Sequence, residues 1–385
     1  MKTILLSALA VTFGDVSPIL QKHCVSCHRA GEIGPMPLTT YAEARPWAKA
    51  MREAVLRRRM PPWFSAQASA PLANDPRLSE ADIDVIARWA LEGAKKGTGG
   101  SVAVELPPAF RPDVVLTMPQ AIRVPAREEL EYQLVTLPLN LAEDRWVRAA
   151  EIRPGVRRVV HHVVAYVQEH GKPLFHNGVT KADILAIYAP GQPPMSCLPG
   201  MAKKIPAGAD LVLQIHYTPD GKEARDRTSI GIVWAREAPE KRVLTLQIAT
   251  TDFLIPPGEK NHRVTASGTL PNDALLLSMF PHMHLRGKAF EYAIVEPGGR
   301  METLLRVAPY NFNWQLDYRL ERPRLLPKGT RLRCTAWYDN SANNPRNPDP
   351  AVEVTYGEQS REEMMVGFFD VAVPAQLDKE SFFQR

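Results

Sequence analysis

No apolar run in the chain reaches the roughly 18 residues that a membrane-spanning helix needs, so nothing in the sequence calls for a membrane span. Excess charge is also scarce. Lys and Arg number 47 against 42 Asp and Glu, a net +5 that is not gathered into one basic run, and this removes the electrostatic basis for nucleic-acid binding. Proline is the opposite case: 35 in 385 residues is near twice the usual share, which disfavours long helices and suits short strands joined by rigid loops. At about 150 residues per domain the length predicts two or three domains.

The start of the chain has the form of an export signal. Lys2 precedes the apolar segment from Ile4 to Val11, and Ala8-Leu9-Ala10 has the small-x-small form of a cleavage site. Residues 1–11 are therefore expected to direct the protein to the periplasm or outside the cell.

Cys24-Val25-Ser26-Cys27-His28 is the C-x-x-C-H pattern of covalent c-type haem attachment. The two thiols add to the haem vinyl groups, and His28 is then placed under the iron as its proximal ligand. The segment lacks the second cysteine or histidine pair that a zinc site requires, and it lacks the βαβ frame of a thioredoxin-like motif. Capping boxes at Thr40 to Glu43 and Ser79 to Asp82 open helices expected to run toward Arg59 and Lys95.

Residues 12–97 resemble a small class I cytochrome c, in which a methionine before the last helix completes the iron coordination. Met60, followed at once by Pro61-Pro62, fits that place, with Met36, Met51 and His23 as competitors. Covalently bound haem c is the expected cofactor. Gly97 to Pro108 reads as a boundary, with the linker taken as 98–112.

Beyond the linker the pattern is strand-like. Short apolar runs at 114–116, 132–137, 146–150, 159–167, 211–217 and 230–234 predict one β-sandwich over 113–238. A second series at 244–248, 275–279, 290–295, 304–305, 331–338 and 365–371 predicts another over 239–375, with 376–385 as a tail. The expected fold class is thus multidomain: a small all-α cytochrome c domain followed by two all-β, jelly-roll-like sandwiches.

Histidine placement supplies the functional signal. His282 and His284, two apart in an extended segment, project to the same side as a two-nitrogen arm. His161 and His162 are adjacent on an apolar strand, so a bulge or twist must bring both to one metal. His216 lies on another apolar strand, and Met364 offers a thioether in the second half. His170, His176 and His262 fall in polar, turn-like stretches and read as surface residues. Sulfur together with imidazole favours Cu(I) over calcium or magnesium. No carboxylate base adjoins the His-x-His, which weighs against a zinc hydrolase.

These residues carry a specific resemblance. Val160-His161-His162-Val163, Gln214-Ile215-His216-Tyr217, His282-Met283-His284-Leu285 and Glu363-Met364 are similar to the ligand motifs of the copper type II, ascorbate-dependent monooxygenases, the family of peptidylglycine α-hydroxylating monooxygenase and dopamine β-hydroxylase. The resemblance implies two copper ions in different domains, facing each other across an open, water-filled cleft. His161, His162 and His216 would hold the electron-storing copper. His282, His284 and Met364 would hold the copper where oxygen binds and a substrate C–H bond is cut.

Two departures stand out. Phe280 and Phe368 occupy the places of the family's carboxylate-binding arginine and tyrosine, which argues against a peptidylglycine substrate. Met365 replaces a disulfide cysteine, leaving Cys334 without that partner, and pairing with Cys197 would depend on their backbones coming close. The implied partners are O2, a small organic substrate and an external electron donor, either a redox protein or an ascorbate-like reductant. A haem and copper electron-transfer or copper-binding protein without hydroxylase activity shares every one of these ligands.

Overall fold

A computed structural model of the protein describes residues 10–97, 110–128, 130–169, 175–176, 179–180, 182–296 and 298–377. Residues 1–9 of the export segment, most of the 98–112 linker, His170, the His176 side chain and most of the 376–385 tail lie outside the described residues. Among the described residues no helix is long and apolar enough to cross a membrane. The chain divides into two compact units, Met1–Trp63 with Asp75–Ala109, and Phe64–Asn74 with Phe110–Arg385.

The first unit is helical. Helix Phe13–His23 starts at Thr12, whose backbone N–H and hydroxyl both donate to the Asp15 carboxylate at 2.8 and 2.9 Å. Ser79 and Asp82 cap helix Glu80–Leu91 in the same reciprocal way. The helix expected from Thr40 toward Arg59 is broken into Tyr41–Ala44, a 3-10 turn at Arg45–Trp47 and Ala48–Leu56, because Pro46 cannot donate to the helical ladder. Val16, Leu20, Ile86 and Trp89 are fully buried at the centre. Val11, assigned above to the export segment, packs into this core.

The expected fold class does not hold. Strands make up 42% of the chain against 12% helix, and residues 12–97 are not one all-α domain. Ser65–Ala68, in the middle of that stretch, is a strand that pairs antiparallel with Met301–Val307 and belongs to the second unit. The physical reason is an available partner: Met301–Val307 would otherwise be the edge of its sheet, with unpaired backbone groups.

Nor are there two separate sandwiches. One sheet of nine strands runs through both halves, in the order Val114–Thr117, Ser229–Trp234, Arg145–Arg153, Met201–Ile205, Lys241–Thr250, Met365–Pro374, Ala274–His282 and Tyr318–Leu326, with Met195–Ser196 also on Arg145–Arg153. Its midpoint is the parallel pairing of Met201–Ile205 with Lys241–Thr250. A four-stranded sheet (Gln133–Leu137, Asp210–Tyr217, Val160–Gln168, Asp183–Tyr188) covers the first half, and a five-stranded sheet containing Ser65–Ala68 belongs to the second. Val163, Ala165, Leu211, Leu213 and Ile215 of the four-stranded sheet pack with Val147, Ala150 and Ile152 in the first-half core.

Candidate metal centre

Alternation along Val160–Gln168 sorts its side chains. Val163, Ala165 and Val167 enter the first-half core, while Val164 and Tyr166 join Val212, Ile184 and Phe368 on the opposite face. His162 belongs to that second face. It stands directly opposite His216 in the antiparallel register, and opposed side chains share a face. The register then shifts, Tyr217 pairing with Val160, so His161 is the extra residue of a bulge and turns to the same side as its neighbour.

The three rings converge, with ring-centre distances of 5.3, 5.2 and 5.0 Å, and one nitrogen from each lies within 4.8 Å of the others. Their outer nitrogens have partners. His161 Nε2–H donates to the Phe312 carbonyl at 3.1 Å, His162 Nε2 faces the Tyr132 hydroxyl at 3.4 Å, and His216 Nε2 faces the Ser360 hydroxyl at 3.3 Å. This assigns the Nδ1 atoms inward. Nδ1 of His161 and of His162 are 3.0 Å apart, and His216 Nδ1 is buried with no hydrogen-bond partner among the described residues. Three imidazole nitrogens gathered in one buried place, one of them without a hydrogen-bond partner among the described residues, fit a cation between them.

The second arm is built the same way with the other nitrogen. His282 ends the strand Ala274–His282 and pairs with Val366. Its Nδ1–H donates to Gln315 Oε1 at 2.6 Å, and His284 Nδ1–H donates to the Glu362 carbonyl at 3.3 Å. Nε2 is left as the donor in both, and in His284 it is buried without a partner among the described residues. Glu362 and Glu363, which immediately precede Met364, both bond to His284, through the Glu362 carbonyl at 3.3 Å and the Glu363 carboxylate at 2.8 Å. Thus the segment that carries the thioether flanks the His-x-His arm.

A buried carboxylate fixes this arm. Glu363 accepts from the backbone N–H of His284 at 2.8 Å and of Arg286 at 2.6 Å. Burial pushes its carboxyl up to about 8, against the pull of those amides and of the Arg286 guanidinium. Arg286, 1% exposed, in turn donates to Asn340 Oδ1 at 2.7 Å, and Asn344 donates to the Leu285 carbonyl at 3.2 Å. The polar segment Asp339 to Asn344 is therefore the brace behind the His282–His284 arm.

All five histidines are at most 9% exposed. Loss of water pushes His161 down to about 4 and His216 to about 3, and it lowers His162, His282 and His284 as well. Neighbouring imidazoles add to the effect on His161, His162, His216 and His284. The cluster is neutral at pH 7, the form that binds metal. Five buried imidazoles with no carboxylate among the inward donors fit a transition-metal cation better than calcium or magnesium.

One implication of the resemblance is corrected. The two histidine sets do not face each other across an open, water-filled cleft: the rings of His162 and His282 are 5.7 Å apart. Phe280 and Phe368 pair opposite one another with ring centres 6.0 Å apart, and Phe368 is 6.5 Å from His282, so phenyl groups adjoin the second arm. His262 is also corrected, since it opens the strand His262–Thr269 and is half-buried. Sequence reasoning missed Tyr132, Phe312, Gln315 and Ser360 entirely, because each reaches the histidines from a remote segment. Glu363 was quoted only as a flank of Met364.

In the helical unit, Cys24 closes helix Phe13–His23, and the N–H groups of Cys27 and His28 both donate to its carbonyl, at 3.1 and 2.9 Å. This turn gathers both thiols and the imidazole. His28 Nδ1–H donates to the Met36 carbonyl at 3.1 Å, which leaves Nε2 as the axial donor and suits a haem ligand. A Cβ on Gly34 would come within 2.7 Å of His28 Nδ1, so the backbone passes tightly against the ring. None of the four cysteines is joined in a disulfide, and Cys334 is buried. Met51 is a core residue, whereas Met60 lies just past helix Ala48–Leu56 with 36% of its surface exposed.

No protein-family model matches the chain, and no curated protein matches it. Among solved structures it is similar to the major capsid protein P2 from Bacteriophage PM2, at 8% identity over 68% of this chain and 97% of that one, TM-score 0.27. It is also similar to PNGF-II, at 10% identity over 66% and 65%, TM-score 0.25. A third is allantoicase from Saccharomyces cerevisiae, at 8% identity over 57% and 80%, TM-score 0.17. Likeness at these TM-scores carries no argument about fold or function, which leaves the reading of the site to its own geometry.

Proposed function

We propose that the protein is a copper-dependent monooxygenase of the type II, ascorbate-dependent kind, exported to the periplasm or beyond, that hydroxylates a C–H bond of an organic substrate with O2. The observation that carries this reading is the buried histidine cluster, in which His216 Nδ1 and His284 Nε2 have no hydrogen-bond partner among the described residues. His161, His162 and His216 would hold one copper through Nδ1, and His282 and His284 through Nε2, with Met364, would hold the second. Copper bound there supplies single electrons for the reduction of O2 that C–H hydroxylation requires.

The chain's own residues do the rest. Phe312, Tyr132 and Ser360 hold the first set with its Nδ1 atoms inward, and Gln315 holds His282 with Nε2 inward. Burial keeps every imidazole neutral and would shield a metal held there from water. Haem attached at Cys24 and Cys27, with His28 and Met60 as axial ligands, would bring electrons from an external donor into the same polypeptide. Phenyl groups at Phe280 and Phe368 offer no pairing for a carboxylate, which favours a neutral substrate.

One observation favours the alternative of a haem and copper electron-transfer protein, namely that all five histidines are closed to solvent. Metal and haem content combined with oxygen uptake separates the readings. The proposal expects copper, covalent haem and uptake that depends on an added organic substrate, with Met364→Ala losing turnover while the histidine-only copper stays loaded. Copper and haem with no substrate-dependent uptake across a panel of organic compounds would leave the electron-transfer reading. Zinc in place of copper would overturn both.

A further inference from the structure

Several contacts make the two histidine sets one body. The ring of His162 meets that of His282 at 5.7 Å and 79°, close to edge-on-face contact, with no room for a water layer. Phe312 stacks on His161 at 4.2 Å and 19°, and its ring is also 6.4 Å from both His216 and His284. Its carbonyl accepts from His161 Nε2 at 3.1 Å and from Gln315 Nε2 at 3.2 Å, while Gln315 Oε1 accepts from His282 at 2.6 Å. A continuous hydrogen-bonded chain therefore runs from the first set to the second through one turn, residues 312–315.

The closure is also locked away from the histidines. Gln192 Nε2 donates to the Gln315 carbonyl at 2.6 Å. Lys203, 5% exposed, donates at 2.8 Å both to the Ile184 carbonyl and to Thr245 Oγ1, and buried Arg242 pairs with Asp183 at 2.7 Å. The Gln192, Lys203–Thr245 and Arg242–Asp183 contacts cross from the first half to the second, beside the sheet that the halves share. Separating the two sets would leave several buried donors and charges without partners at once, which is costly in a low-dielectric interior.

We infer that His161, His162, His216, His282 and His284 form one dinuclear metal centre, with His162 and His282 in direct contact, in place of two isolated mononuclear sites. The inference rests on the copper reading above and deepens it. Electrons arriving at either set would reach the other through touching imidazoles, with no solvent gap to cross and no opening and closing of the halves.

Electron paramagnetic resonance of the fully loaded, oxidised protein tests this without reference to turnover. A dinuclear centre predicts a spectrum broadened by coupling between the two Cu(II) ions, with a half-field transition. In His216→Ala, loaded with the one remaining copper, the broadening and the half-field signal are lost and a sharp mononuclear spectrum takes their place. Two copper ions giving two additive, sharp spectra that integrate to two full spins would overturn the dinuclear centre and leave the copper reading standing. A single copper per chain would overturn it in the same way, whereas a protein that takes up no copper would sink both. Metal-to-metal scattering in X-ray absorption of the unaltered protein is a second readout, required by the inference and independent of whether the variant folds.

Discussion

Replacing Glu363 by alanine is the sharpest probe of how the second metal arm is held. The carboxylate is fully buried and accepts the N–H groups of His284 and Arg286 at 2.8 and 2.6 Å. Alanine would orphan both amides inside the protein, each costing about 1–3 kcal/mol. It would also take a carboxylate away from Arg286, which is 1% exposed. These losses share one site and do not simply add, so a destabilisation of about 3–6 kcal/mol is expected, a large part of the roughly 5–15 kcal/mol that holds a typical protein folded. Glu363→Gln keeps one carbonyl oxygen and should cost about half as much. Chemical denaturation followed by fluorescence, with the slope held constant, measures both. Because the same amides orient His284, copper bound at the second set should weaken about 10–100-fold in Glu363→Gln, while the first set is unchanged. A Glu363→Ala protein within about 0.5 kcal/mol of the parent, or unaltered copper affinity in the glutamine variant, would refute the account.

Gly367→Ala tests the packing beneath the arm. A Cβ there would lie 2.5 Å from Cys334 Sγ and 3.0 Å from the Tyr292 ring, so overpacking of about 1–3 kcal/mol is expected, visible as a lowered melting temperature and partly relieved when Cys334→Ala is added. An unchanged melting temperature would contradict it. Gln315→Leu removes the acceptor that fixes the tautomer of His282, and a copper titration should show the second set weakened about 10–100-fold. Equal affinity would show that His282 is held by other means.

The histidines were legible because ligand chemistry is written in residue type and local spacing. Two imidazoles two apart on a strand need no tertiary information, and side-by-side histidines demanded the bulge that the register shift at Val160 and Tyr217 supplies. Most of the longer strands of the second unit were legible too, through alternation and bounding turns. Asp183–Tyr188 was missed despite its apolar run, while several other missed strands carry weaker patterns. Met201–Ile205 contains two lysines, one of them buried in a polar network, and His262–Thr269 has the alternating but small and polar sequence of a half-exposed strand. Ser65–Ala68 has no apolar signal at all, and it is a strand only because a distant edge receives it. The failure that mattered most was separability. A parallel pairing of only two registered residue pairs, Met201 with Lys241 and Ala202 with Arg242, joins what sequence divides into two sandwiches, and no local pattern announces it.

That short parallel seam has a consequence for anyone dissecting the molecule. Severing the chain between Trp234 and Lys241 would not release two modules. Each fragment would bear a raw, unsatisfied strand border, Met201–Ile205 on one and Lys241–Thr250 on the other, together with one of the two ligand sets and a stranded lysine or arginine. Such pieces should stick to one another or precipitate, and only the uncut polypeptide is a meaningful unit for reconstitution with metal.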